Sequence, residues 1–134
     1  MRRTDQLQRF RSDGNSVSPE RLIVLLYERL GRDLRDGAAA IDTGETELRH
    51  RALLHAQQIV EELSYAVRPD VWDGGDRLIA LYDFVLELLV QGNVAADSAA
   101  IHHATVITDG LADAWRQAYI AVAPAPTTTT TPTQ

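Results

Sequence analysis

The sequence predicts an all-α chain, an antiparallel up-down four-helix bundle, on three observations. Four stretches repeat apolar residues at helical spacing, no stretch shows the alternation of a half-buried strand, and short turn-rich connections join the four. Short links between long helices make successive helices antiparallel neighbours. A chain of 134 residues with 45% hydrophobic and 24% charged residues is an ordinary globular composition. At that size, folding buries roughly two-thirds of the unfolded surface, enough for one real core. The expected division is an N-terminal segment at 1–17, the bundle at 18–123 and a tail at 124–134.

The first helix begins at "SVSPER", where Ser18 caps, Pro19 takes the first helical position and Glu20 sits in the first turn. It runs to about Ile41 and stops at "DTGET", where Gly44 ends one helix and Thr46 caps the next. Its core stripe is Ile23, Tyr27, Leu30, Leu34 and Ile41, with Val24 and Leu25 outside it. The second helix runs from about Glu47 to Val67 and is ended by Pro69. Leu48, Ala52, Ala56, Ile59 and Leu63 form its stripe, and Leu54 and Tyr65 leave it.

The third helix follows "WDGG" and is closed by "QGN"; the fourth runs from about Ala95 to Ala121. On the fourth, Ile101, Ala104, Ile107, Leu111, Trp115, Ala118 and Val122 share one side, while His102, His103, Asp109, Asp113 and Arg116 share the other. The third is different. Asp76, Asp83, Glu87 and Gln91 occupy one narrow strip, which leaves an apolar arc of about 240° at 100° per residue. A bundle helix needs a stripe little more than about 100° wide. Val85, Leu78, Leu81 and Leu89 centre the arc, with Phe84 and Leu88 on one flank and Ile79, Tyr82, Leu86 and Val90 on the other. Either neighbouring helices cover both flanks, or one flank is a groove for an apolar helical segment of a partner.

Composition excludes several functions. The net charge of −6 argues against nucleic acid, whose phosphates demand a basic patch. The run "LIALYDFVLELLV" is broken by Asp83 and Glu87 and falls short of the ~20 residues a bilayer requires, so no membrane insertion is expected. The N-terminus "MRRTDQLQRFRSDG" has no apolar signal core, which with the absence of cysteine points to the cytoplasm. His50, His55, His102 and His103 miss the spacing that puts two metal ligands on one helix face, so neither metal nor cofactor is expected. "DGGD" lacks the preceding strand and lysine of a phosphate loop, and acid pairs such as Glu61 with Glu62 lie on polar faces. None of the core stripes supplies a charged group, so an enzyme is not expected either.

Four pieces of the chain, "SPERLIVLLYERL", "AQQIVEEL", "DGGDRLIALYDFVLELL" with "GN", and "LADAWRQA", resemble in order and spacing the FliS flagellin-export chaperones. The resemblance covers about Ser18 to Tyr119. It implies a cytoplasmic chaperone that binds the C-terminal helical segment of flagellin, prevents premature polymerisation and delivers the subunit to the flagellar export gate. It also implies an aromatic before the first helix, where this chain offers Phe10, and an acid, Glu28, beside the first-helix tyrosine. On this reading Ile79, Tyr82, Leu86 and Val90, with Leu54, Val24 and Leu25, contact flagellin. Leu7 and Phe10 then cover that surface in the free protein. The tail "APAPTTTTTPTQ" carries no charge and no core residue, and is expected to serve neither fold nor binding. The rival readings are a generic helical adaptor or homodimer pairing through the same flank, and a ligand-binding bundle with a polar group in its core.

Overall fold

The computed structural model describes residues 18–66 and 75–122, with side chains as far as 117. Four helices follow one another: α1 Pro19–Thr43, α2 Thr46–Ala66, α3 Gly75–Ala95 and α4 Ser98–Val122. Each packs on two neighbours, α1 on α2 and α4, α3 on α2 and α4, so the helices form a ring with α1 diagonal to α3. No strand occurs among the described residues. The architecture is the expected four-helix bundle. The expected N-terminal cap and C-terminal tail lie outside the described residues.

The helix ends follow from local chemistry. Ser18 Oγ accepts the Arg21 N–H at 3.1 Å, and Pro19, which has no N–H to orphan, opens α1. At the other end Gly44 takes the left-handed conformation (φ 73°), its N–H donating to Ile41 and that of Glu45 to Ala40. This Schellman closure satisfies two carbonyls that the helix leaves orphaned. α4 is capped by Asp97, whose Oδ1 accepts the Ala100 N–H at 3.2 Å and whose Oδ2 accepts from Gln91 at 2.8 Å. The Gln91 amide first, then the Ala100 N–H, hold the Asp97 carboxyl below its ordinary value.

The α3–α4 corner departs from the expectation drawn from "QGN". α3 does not stop there but continues through Gly92 and Asn93 to Ala95, and the left-handed residue is Ala96 (φ 50°). Gly92 instead permits a close helix contact. A Cβ there would lie 2.2 Å from Ile101 Cδ1 and 2.6 Å from Cγ1, so its bare backbone lets α4 close on α3. Gly37 does the same for Leu53 between α1 and α2.

The core holds Leu30, Leu34, Leu53, Val60, Leu63, Val85, Leu89 and Ile101, all fully buried. Within it the Tyr27 and Tyr82 hydroxyls hydrogen-bond at 2.8 Å, joining the diagonal helices α1 and α3. The Trp115 indole of α4 hydrogen-bonds to the pair as well. Burial drives the Tyr27 hydroxyl far above the ordinary 10.0 and raises that of Tyr82, so both stay neutral. Glu28, expected beside Tyr27, is exposed. Two further expectations are corrected: Leu48 is exposed rather than core, and the core does hold carboxylates, Asp33 and Glu62. Asp33 accepts from His55 Nδ1 across the α1–α2 seam and pairs with Arg29 at 3.7 Å.

Two predictions test this packing. Gly92→Ala gains about 1 kcal/mol of helix propensity but overpacks Ile101 by about 1–3 kcal/mol, and should destabilise on balance in urea unfolding. Adding Ile101→Val, which removes the nearest methyl, should recover part of the loss; strictly additive effects would show that the two residues do not meet. Tyr82→Phe should cost about 1–3 kcal/mol, because it takes one hydrogen-bond partner from the buried Tyr27 hydroxyl. The double change with Tyr27→Phe should cost less than the sum of the two singles.

Candidate partner-binding surface

The α2–α3 seam is pinned at one end by Asn93, whose Oδ1 accepts from Arg49 Nε at 3.5 Å and whose amide meets His50 Nδ1 at 3.1 Å. That contact sets the antiparallel register. Helical steps of three and four from His50 then pass Leu54, Glu61 and Tyr65 along α2, while steps back from Asn93 pass Val90, Leu86 and Ile79 along α3. Leu54 is 40% exposed, Tyr65 59% and Val90 47%. Ile79 and Leu86 are half-buried, packed inward against the core. The result is a largely apolar strip along the seam of two helices, with Glu61 on its α2 side.

The structure sorts the expected contact residues into three groups. Ile79, Leu86, Val90 and Leu54 come together on the strip. Tyr82 does not: it is 1% exposed with its hydroxyl committed to Tyr27, so it lies in the core and is no partner contact. Its position on the α3 arc lies closer to the bundle axis than the flank residues, a rotation that periodicity could not fix. Val24, 3% exposed, is likewise buried instead of leaving the stripe, and Leu25 is half-buried. Both belong to α1, diagonal to α3, and do not join the strip. Leu7 and Phe10 lie outside the described residues. Tyr65 belongs to the strip although the sequence reading did not place it there; its spacing of eleven from Leu54 on α2 was the signal that could have found it.

The opposite flank of α3 turns to α4. Leu88 is buried there, and Phe84 sets its ring edge-on to His103, with centroids 5.4 Å apart and planes at 77°. Neighbouring helices cover most of the α3 arc but leave Phe84 and Val90, one on each flank, exposed. By length and composition this 21-residue helix would suffice to cross a membrane, against the expectation that it is too short. Its buried Tyr82, Val85 and Leu89 make it a core helix of the bundle.

A cleft of about 460 Å³ lies between α1 and α2, lined by Arg29, Asp33, Asp36, Leu48, Arg51 and His55 among others. Within it Asp33 is paired with His55 and Arg29. Among the described residues no group of three or more His, Cys, Asp or Glu side chains is placed to hold a metal ion. The strip, rather than the cleft, offers unpartnered apolar area.

The model of the family described as flagellar protein FliS matches residues 4–122. The flagellar secretion chaperone FliS of Bacillus subtilis (strain 168) is 28% identical over 104 residues, 78% of this chain and 77% of the relative. That of Salmonella typhimurium (strain LT2) is 28% identical over 105 residues, 76% and 77% of the two chains. The match spans all four helices and both flanks of α3, and on it this chain belongs to the FliS family of flagellar proteins.

Proposed function

We propose that the chain is a cytoplasmic chaperone that holds the C-terminal helical segment of flagellin on the α2–α3 strip, keeps it from polymerising and delivers it to the export apparatus. The observation that carries the reading is the strip itself, an apolar surface that the fold leaves unused, in a family whose relatives are named secretion chaperones. Chemistry is not required of such a protein. A segment that must stay unassembled needs its apolar stripe covered temporarily, and a partner that folds on binding gains coverage of a large area while remaining releasable. The amphipathic helix would lie with its anchors at i, i+3, i+4 and i+7 between Leu54 and Tyr65 on one side and Ile79, Leu86 and Val90 on the other.

The N-terminal segment, with Leu7 and Phe10 three apart in an otherwise polar stretch, supplies a short apolar stripe of the same kind. It acts as a weak internal competitor that covers the strip until flagellin arrives. A homodimer through the same strip is the second reading, favoured by its exposed Val90 and Tyr65.

Val90→Asp should abolish binding of a flagellin C-terminal peptide in calorimetry while changing stability by no more than about 0.5 kcal/mol, since Val90 is on the surface. Leu86→Asp should abolish binding with a larger loss of stability. Retention of full affinity in both variants would move the site off this seam. Light scattering separates the readings: a dimer that persists with saturating peptide would favour self-pairing. Removing the residues before Asn15 should leave the bundle folded and tighten peptide binding. An unchanged affinity would show that Leu7 and Phe10 do not compete.

A further inference from the structure

The apolar strip has unequal rims. On α3, Asp76, Asp83 and Glu87 lie roughly 60° round from the mean direction of Ile79, Leu86 and Val90, all on the same outward edge. The three carboxylates are exposed and make no ion pair among the described residues. At the same angular offset on α2, beyond Leu54 and Tyr65, stand Arg51 and Gln58. Glu47 and Glu61 share the face of Leu54 and Tyr65, so the α3 rim is acidic throughout while the α2 rim is mixed, with Arg51 on its outward edge. Asp83 and Glu87 are also like charges one turn apart, an arrangement that destabilises the free helix slightly and that a cation between them relieves.

Building on the reading that the strip seats a helical segment of flagellin, we infer that its electrostatics select and orient that segment: the occupant is an amphipathic helix with lysine or arginine on one flank only. With the apolar stripe seated on Leu54, Leu86 and Val90, the basic flank overlies α3 and the other flank overlies α2 near Arg51. The rim carboxylates are seven and four residues apart, about 10 Å and 6 Å along the helix axis. Cationic groups at matching intervals on an aligned helix meet all three. A helix placed with its basic flank over Arg51 would meet repulsion instead, so charge fixes which way round the occupant lies, a contribution to specificity more than to raw affinity. The net charge of −6 adds long-range attraction for the same class of partner.

The test uses the full chain and two synthetic versions of the flagellin C-terminal peptide that share one apolar face, one flank of which is lysine in the first and glutamate in the second. The parent should bind the lysine peptide about tenfold more tightly at low salt, a preference that shrinks toward none as salt rises. Asp83→Lys with Glu87→Lys should reverse the preference, and Asp83→Asn with Glu87→Gln should erase it. Asp42→Lys with Asp109→Lys, an equal change of net charge at exposed positions away from the strip, should leave it in place. Equal binding of both peptides by the parent, with no change on rim reversal, would overturn the inference. If Val90→Asp still abolishes binding in that case, the proposed function stands without it. If Val90→Asp binds both peptides as the parent does, the seat itself is wrong and the functional reading falls too.

Discussion

The arrangement of the bundle depends on how α3 is rotated about its own axis, and that rotation is held by the buried Tyr27–Tyr82 hydroxyl pair. In a ring of four helices the diagonal members are the least constrained relative to each other, because each packs mainly on its two neighbours. A hydrogen bond of 2.8 Å across the middle, with the Trp115 indole joining from α4, ties three helices at one point of the core. Directional bonds of this kind are costly to leave unmade in a low-dielectric interior, which is why they specify one packing among several that apolar contact alone would allow.

With Tyr82 turned inward, Ile79 and Leu86 are carried to the edge of the core and Val90 beyond it. Gly92 and Asn93 fix the same rotation at the other end of the helix. Gly92 removes a side chain where Ile101 must approach, and Asn93 bridges to Arg49 and His50 on α2. α3 thus does two jobs at once: its inner arc supplies Val85 and Leu89 to the core, while its α2-side flank stays partly open. A fold built only for stability would have placed polar residues on that flank, since exposed apolar area of this extent gives no folding energy and invites association. A family of secretion chaperones is where such surface has a use.

Two of the buried polar groups, Asp33 and Asn93, act alike. Asp33 is buried with His55 and Arg29 turned onto it, and Asn93 is buried with two partners on the facing helix. In each case the buried group lies on a seam between two helices and sets their register. The charges that remain on the surface are those the sequence arranges in strips. The acidic strip of α3 gains its significance from the apolar flank beside it.

How much of this was legible in the sequence can be judged residue by residue. Helix number, their antiparallel order and the ends of α1 were legible because they are written in local chemistry: Ser18 before Pro19, Gly44 in a left-handed turn, and apolar residues recurring at helical spacing. The surplus apolar arc of α3 was legible for the same reason, and so was the position of Leu54 off the core stripe of α2, where it is exposed. Which flank residues face inward was not, because an arc of about 240° leaves the rotation of the helix undetermined. Tyr82 is core only because Tyr27 lies opposite it. Val24 is buried and Leu48 exposed because of where helix crossings fall, which no residue of their own helix records. Gly92 read as a helix stop on its composition, and only the approach of Ile101 shows that it is a contact point inside α3. The sequence by itself determined the elements and the chemistry they carry; tertiary packing decided their rotation, since that is a property of pairs of helices.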